Sequence, residues 1–85
     1  MSLEELGVRV GEKVRYRRRR TAGQWDEGTI VALERDGSLG VRDRKGAARA
    51  IPLALVEVRV AGPRGARLWE PLLDRAGRAE QRSLF

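Results

Sequence analysis

Eighty-five residues with a formal net charge of +6, no Cys and no His leave room for one small domain with a thin core. They exclude a disulfide framework and a Cys- or His-based metal site, and they remove the commonest general base. No apolar run approaches the length of about twenty residues that a membrane-spanning helix needs, and Met1-Ser-Leu-Glu-Glu-Leu lacks the basic start and apolar block of a signal peptide, so a soluble cytoplasmic protein is expected.

Residues 1–7 read as a lead-in of one helical turn. In the next segment Val8, Val10, Val14 and Tyr16 share one parity, whereas Arg9, Lys13, Arg15 and Arg17 share the other. A period of two marks a strand with an apolar inner face and a basic outer face. Thr21-Ala-Gly-Gln is a turn. A second strand is expected over 25–34, with Thr29-Ile-Val-Ala-Leu apolar on both faces, as a central and bent strand requires. Asp36-Gly37 supplies a hairpin signal, because glycine takes the positive φ of the turn. Leu39 to Arg42 is the third strand, Asp43-Arg-Lys-Gly the next turn, and Ala47 to Ile51 the fourth strand, stopped by Pro52. Leu55 to Val60 completes the set with Val56, Val58 and Val60 facing in. Short strands punctuated this closely suit a small closed or half-closed barrel over 8–61.

After Gly65 the period changes. Leu68, Trp69, Leu72, Leu73 and Ala76 fall at helical spacing. A short helix is expected from Leu68 to Ala76, with Pro71 in its first turn and Gly77 just past its end. Residues 62–77 then form a linker and a helix that covers one open end of the barrel, and 78–85 form a flexible tail. Trp25 and Trp69 read as structural residues.

The cations are distributed unevenly. Sixteen of the eighteen are Arg, and Lys13 to Arg20 holds six cations and no anion. A guanidinium makes bidentate contacts to phosphate and stacks on rings. Arg17, Arg18, Arg19 and Arg20 therefore read as a basic finger for nucleic acid, extended by Lys13, Arg15, Arg42, Arg44, Lys45 and Arg49. Neutralised phosphates release counterions, which gives affinity without sequence selectivity. Tyr16 or Trp25 is placed to stack on a base. The competing reading is a solvated hairpin whose Arg side chains pair with Asp26, Glu27 or Glu34. The carboxylates and serines form no catalytic or metal-ligating set, so neither enzyme activity nor a cofactor is expected.

Val10-Gly-Glu-Lys-Val, Trp25 followed by Gly28-Thr-Ile, Asp36-Gly, Val41-Arg-Asp and Ile51-Pro-Leu together resemble the Tudor-like branch of SH3-type barrels. The resemblance covers residues 8 to 60 and implies a mostly β fold, a small antiparallel barrel of about five strands with a short C-terminal helix. Members that bind methylated Lys or Arg use a cage of aromatic rings. Here the family's F-x-D-Y-G motif stands as Val41-Arg-Asp-Arg-Lys-Gly, without either ring, so no methyl-ligand cage is expected. The last residues, Gln81-Arg-Ser-Leu-Phe, resemble the peptide with which bacterial replication and repair proteins dock on the DNA sliding clamp. That resemblance implies Gln81, Ser83, Leu84 and Phe85 as docking residues, with Arg82 in place of the preferred Leu. The expected function is a non-catalytic accessory module that touches DNA or RNA and is recruited by a clamp. The alternatives are a module binding RNA polymerase by edge-strand pairing, as bacterial Tudor-like barrels do, and a structural subunit of a nucleoprotein or phage assembly.

Overall fold

A computed structural model describes residues 1–17 and 24–83. Six strands form one antiparallel sheet: β1 (Lys13–Tyr16), β2 (Asp26–Leu33), β3 (Leu39–Asp43), β4 (Ala48–Ile51), β5 (Val56–Ala61) and β6 (Arg67–Pro71). Their order is β4-β3-β2-β1-β5-β6, so the sheet is not closed and β4 and β6 are its edges. Among the described residues one α-helix, α1 (Leu72–Ser83), follows β6 directly.

The alternation read from the sequence places the core. Val14, Tyr16, Ile30, Val41, Val56 and Val58 are all buried on one face of the sheet, joined there by Leu39, Ile51, Leu6, Val8 and Leu72. β2 is central and irregular, its register to β3 shifting between Ile30 and Ala32. Such a bulge bends the strand and lets its Thr29–Leu33 run contribute to both faces. The β2–β3 turn has Gly37 at φ 90°, and Asp36 accepts hydrogen bonds from the Ser38 amide and hydroxyl at 2.9 and 2.6 Å. Pro52 ends β4, and a single 3-10 turn, Leu53–Leu55, leads into β5.

Gly28 has a packing role on β2. A Cβ there would lie 2.5 Å from the Val41 side chain and 2.7 Å from the Arg42 carbonyl oxygen, which is backbone. Gly28→Ala is expected to force β2 and β3 apart at the cost of about 1–3 kcal/mol. Urea unfolding would measure the loss; an unchanged midpoint would show that the strands give way freely.

Three expectations are corrected and one, the lead-in, is extended. Val10 does not share the inner face. Gly11, at φ 91°, breaks the strand and starts β1 only at Lys13, leaving Val10 exposed. The lead-in is part of the core, because Leu6 is buried and the 1–7 turn is tied by bonds such as Val8 N–H to the Leu3 carbonyl. Residues 67–71 are a strand, not a helix: Arg59 pairs with Trp69 and Val60 with Leu68 across the β5–β6 hairpin. The helix therefore starts at Leu72, with Pro71 ahead of it, and runs through Gly77 to Ser83. Residues 78–83, read as a tail, continue α1. Ala, Glu, Gln and Arg sustain helix well, and Arg78 anchors this part to Glu70 on β6 at 2.5 Å.

A second cation of the helix, Arg75, ties it to the sheet more extensively than Arg78 does. Arg75, only 18% exposed, pairs with Glu12, bonds Glu70 Oε1 at 3.2 Å and donates to the Arg59 carbonyl at 2.8 Å. Arg78 and then Arg75 hold the Glu70 carboxyl below its ordinary range. A carboxylate favoured in the folded state stabilises the fold fully above the unfolded pKa, about 4.3, and loses that contribution as pH falls through the lower folded value. Thermal stability is thus expected to drop on acidification below roughly pH 4.5, and Glu70→Gln to flatten that part of the profile. An identical acid profile in the variant would show that Glu70 contributes nothing to it.

Among the described residues no helix is long and apolar enough to cross a membrane.

Candidate nucleic-acid interface

The face of the sheet opposite the core carries the charges. Side chains alternate across a strand, so Lys13 and Arg15 on β1, Glu27 and Thr29 on β2, Arg42 on β3, Glu57 and Arg59 on β5 and Trp69 on β6 share this outer face. The register aligns them in rows. Thr29 stands between Lys13 and Arg42, and Arg59 stands opposite Trp69. Val14 pairs with Val58, so one further step along the same register brings Lys13 beside Arg59. One row therefore runs Arg42, Thr29, Lys13, Arg59, Trp69 across five strands. These five residues line a single shallow depression.

Among the described residues no carboxylate lies within ion-pair distance of Lys13, Arg42 or Arg59. Arg42 donates to the Gly46 carbonyl at 2.8 Å, which steadies it without neutralising it. Arg59 is half-buried with its guanidinium 5.2 Å from the centre of the Trp69 ring, and its Nε is shielded without a hydrogen-bond partner. Glu27 and Asp43 line the same depression, and Glu27 feels the charges of Arg59 and Lys13 without forming an ion pair with either.

The adjoining row is arranged differently. Arg15 gives two hydrogen bonds to Glu57 Oε1, at 2.8 and 2.5 Å, and its guanidinium lies 4.3 Å from the Trp25 ring centre and 5.1 Å from that of Trp69. Arg17 lies 4.1 Å from the Trp25 centre. The result is a ladder of Arg17, Trp25, Arg15, Trp69 and Arg59, in which cation–π attraction fixes long side chains that would otherwise be mobile. Both indoles are half-buried on this face. Trp69 belongs to β6 and not to the helix in which it was expected.

The remaining predicted residues divide clearly. Arg44 is exposed and pairs with Glu27 at 2.7 Å, and the bond from Arg44 holds the Glu27 carboxyl below its usual range. Such a solvated pair is weak and can open to a competing anion. Lys45 is exposed at the turn tip, its amide bonded to Asp43 at 2.9 Å. Asp43 also accepts from the Ala47 amide and pairs with Arg49 at 3.0 Å; the Arg49 bond leads in keeping this carboxyl low. Arg49 thus serves the β3–β4 turn. Tyr16 is fully buried in the core, so its ring cannot stack on a base, which corrects the reading from its position in a basic run. Arg18, Arg19 and Arg20 lie outside the described residues. Gln81 and Ser83 fall in the last turn of α1, and Leu84 and Phe85 lie outside the described residues.

Arg59 and Trp69 were missed from the sequence. Arg59 is a lone cation among valines, and its place beside Lys13 depends on pairing between β1 and β5, strands far apart in the chain. The outward parity of Arg59 against Val58 and Val60 was the one available signal.

No protein-family model, curated protein or solved structure matches the chain.

Proposed function

We propose that the chain is a non-catalytic nucleic-acid-binding module built on a small SH3-like, Tudor-like β-fold. It holds the phosphate backbone of DNA or RNA on the outer face of the sheet. The observation that carries this reading is the row of Lys13, Arg42 and Arg59, three cations without an ion pair among the described residues, beside an Arg–Trp ladder. Lining the depression or the ladder stand Lys13, Arg15, Arg17, Arg42, Arg44 and Arg59, against Glu27, Asp43 and Glu57. In the chain, Arg18 to Arg20 follow directly on Arg17 and add to the charge. Order in the cations matters because it lowers the entropy lost on binding. Trp25, Gly28, Ile51 and Pro52 support the fold assignment through the roles they have here: ladder, close strand approach, core and strand end.

The test is binding of a generic oligonucleotide at several salt concentrations. Replacing Arg17 to Arg20 by Ser is expected to leave the fold intact and to reduce the logarithmic salt slope by about 0.7–0.9 for each phosphate no longer neutralised. Equal binding and equal slopes in wild type and variant would show that Arg17 to Arg20 neutralise no phosphate.

Recruitment by a sliding clamp through Gln81 to Phe85 is the proposed second interaction, supported by the match of Gln81, Ser83, Leu84 and Phe85 to the docking peptide. With Gln81 and Ser83 in α1, docking in an extended form requires the last helical turn to unwind. A second reading, strand pairing with RNA polymerase, is favoured by the two open edges β4 and β6, which present unpaired backbone groups. High salt separates the readings: phosphate binding falls steeply, strand pairing much less.

A further inference from the structure

Phosphate contacts alone do not distinguish a single strand from a duplex. The two indoles of the outer face do, because they are held differently. At 4.1 and 4.3 Å from its centre, the guanidinium carbons of Arg17 and Arg15 lie in van der Waals contact with Trp25, which is clasped. At 5.1 and 5.2 Å, those of Arg15 and Arg59 stand over the half-buried Trp69 ring at a longer distance, a looser hold than that on Trp25. Trp69 is also on an edge strand, with no further strand beside it among the described residues, and it lines the same depression as Lys13, Arg42 and Arg59. A loosely held, half-buried indole beside three cations in one depression is the arrangement that receives a base while its backbone is held. A duplex keeps its base faces stacked inside and has none to offer.

Resting on the nucleic-acid reading above, we infer that the ligand is single-stranded. The strand crosses the sheet from Arg42 past Lys13 to Arg59, with one unstacked base laid on Trp69. The span is short: three strand spacings of about 4.8 Å separate β3 from β5, so only a few nucleotides touch the face at once. The Arg75 side chain, donating to the Arg59 carbonyl from the helix side, buttresses the strand at this point. Trp25 has a different part, ordering Arg15 and Arg17, and takes no base.

The chain has two Trp residues, so Trp25→Phe and Trp69→Phe each leave a single fluorescent indole. The full chain is titrated with thymidylate and uridylate oligomers of about twelve nucleotides, a duplex of the same length and an abasic phosphodiester of the same length. The single strands are expected to bind roughly tenfold tighter than the duplex and the abasic chain, the factor given by a base–aromatic stack. Quenching should persist in Trp25→Phe and vanish in Trp69→Phe. Equal affinity for single strand and duplex, equal affinity for the abasic chain, or quenching that follows Trp25 would overturn the inference while leaving phosphate binding intact. If none of the four probes binds, the nucleic-acid reading itself falls and this inference with it. The abasic comparison uses the unaltered chain, so it decides even if a variant fails to fold.

Discussion

Leu72→Ala is expected to cost about 2–5 kcal/mol, a large share of the stability of the domain. Leu72 is the first residue of α1, has no exposed surface and joins the cluster that includes Leu6, Val8 and Val58. A domain of this size has roughly 4–13 kcal/mol of stability to lose. Removing three buried carbons where the helix meets the sheet leaves a cavity that the rigid strands cannot close. Leu73, its neighbour, is 48% exposed, and Leu73→Ala should change stability by less than about 0.5 kcal/mol. The contrast is informative because a helix over 68–76 would turn both leucines toward the core. Urea unfolding of the two variants measures it. Equal losses would mean that α1 starts earlier than Leu72 and packs by a different face.

A Lys13→Gln, Arg42→Gln, Arg59→Gln triple variant is expected to lose roughly a hundredfold in oligonucleotide affinity at moderate salt, with a logarithmic salt slope shallower by about 2. Each side chain lies on the outer face and none belongs to the core, so the fold should survive. A general loss of charge is controlled by a second triple variant, Arg9→Gln, Arg35→Gln, Arg64→Gln, whose cations are exposed away from the row. Both variants change the net charge from +6 to +3, three positive charges fewer. Long-range attraction responds to net charge, whereas direct phosphate binding responds to position. Similar losses in the two variants would show that the chain attracts nucleic acid only as a polycation.

How far the sequence carries follows from which signals are local. The period of two in Val14 and Tyr16, the Asp36-Gly37 turn and the stop at Pro52 each act within a few residues, and β1 to β5 follow from them. Val10 misled because parity continues across Gly11 on paper, while the backbone at positive φ does not. The segment 67–73 misled for a deeper reason. A strand that passes into a helix without a loop puts Leu68, Trp69, Leu72 and Leu73 at spacings that helical periodicity also fits. Only pairing with β5 decides for the strand. The site was partly legible for the same reason: Lys13 and Arg42 stood in a basic context, but their alignment with Arg59 and Trp69 is a product of register between distant strands.

The central claim, that the outer face of the sheet holds nucleic acid, is tested most directly by amide and indole NMR shifts of the whole chain during titration with a single-stranded oligonucleotide. The shifts should concentrate on Lys13, Thr29, Arg42, Arg59 and the Trp69 indole, spreading toward Arg15 and Arg17. They should be weak along β4 and over the exposed side of α1. Shifts confined to the β4 or β6 backbone edges, or to the helix, with the Lys13–Arg59 row unmoved, would contradict the claim.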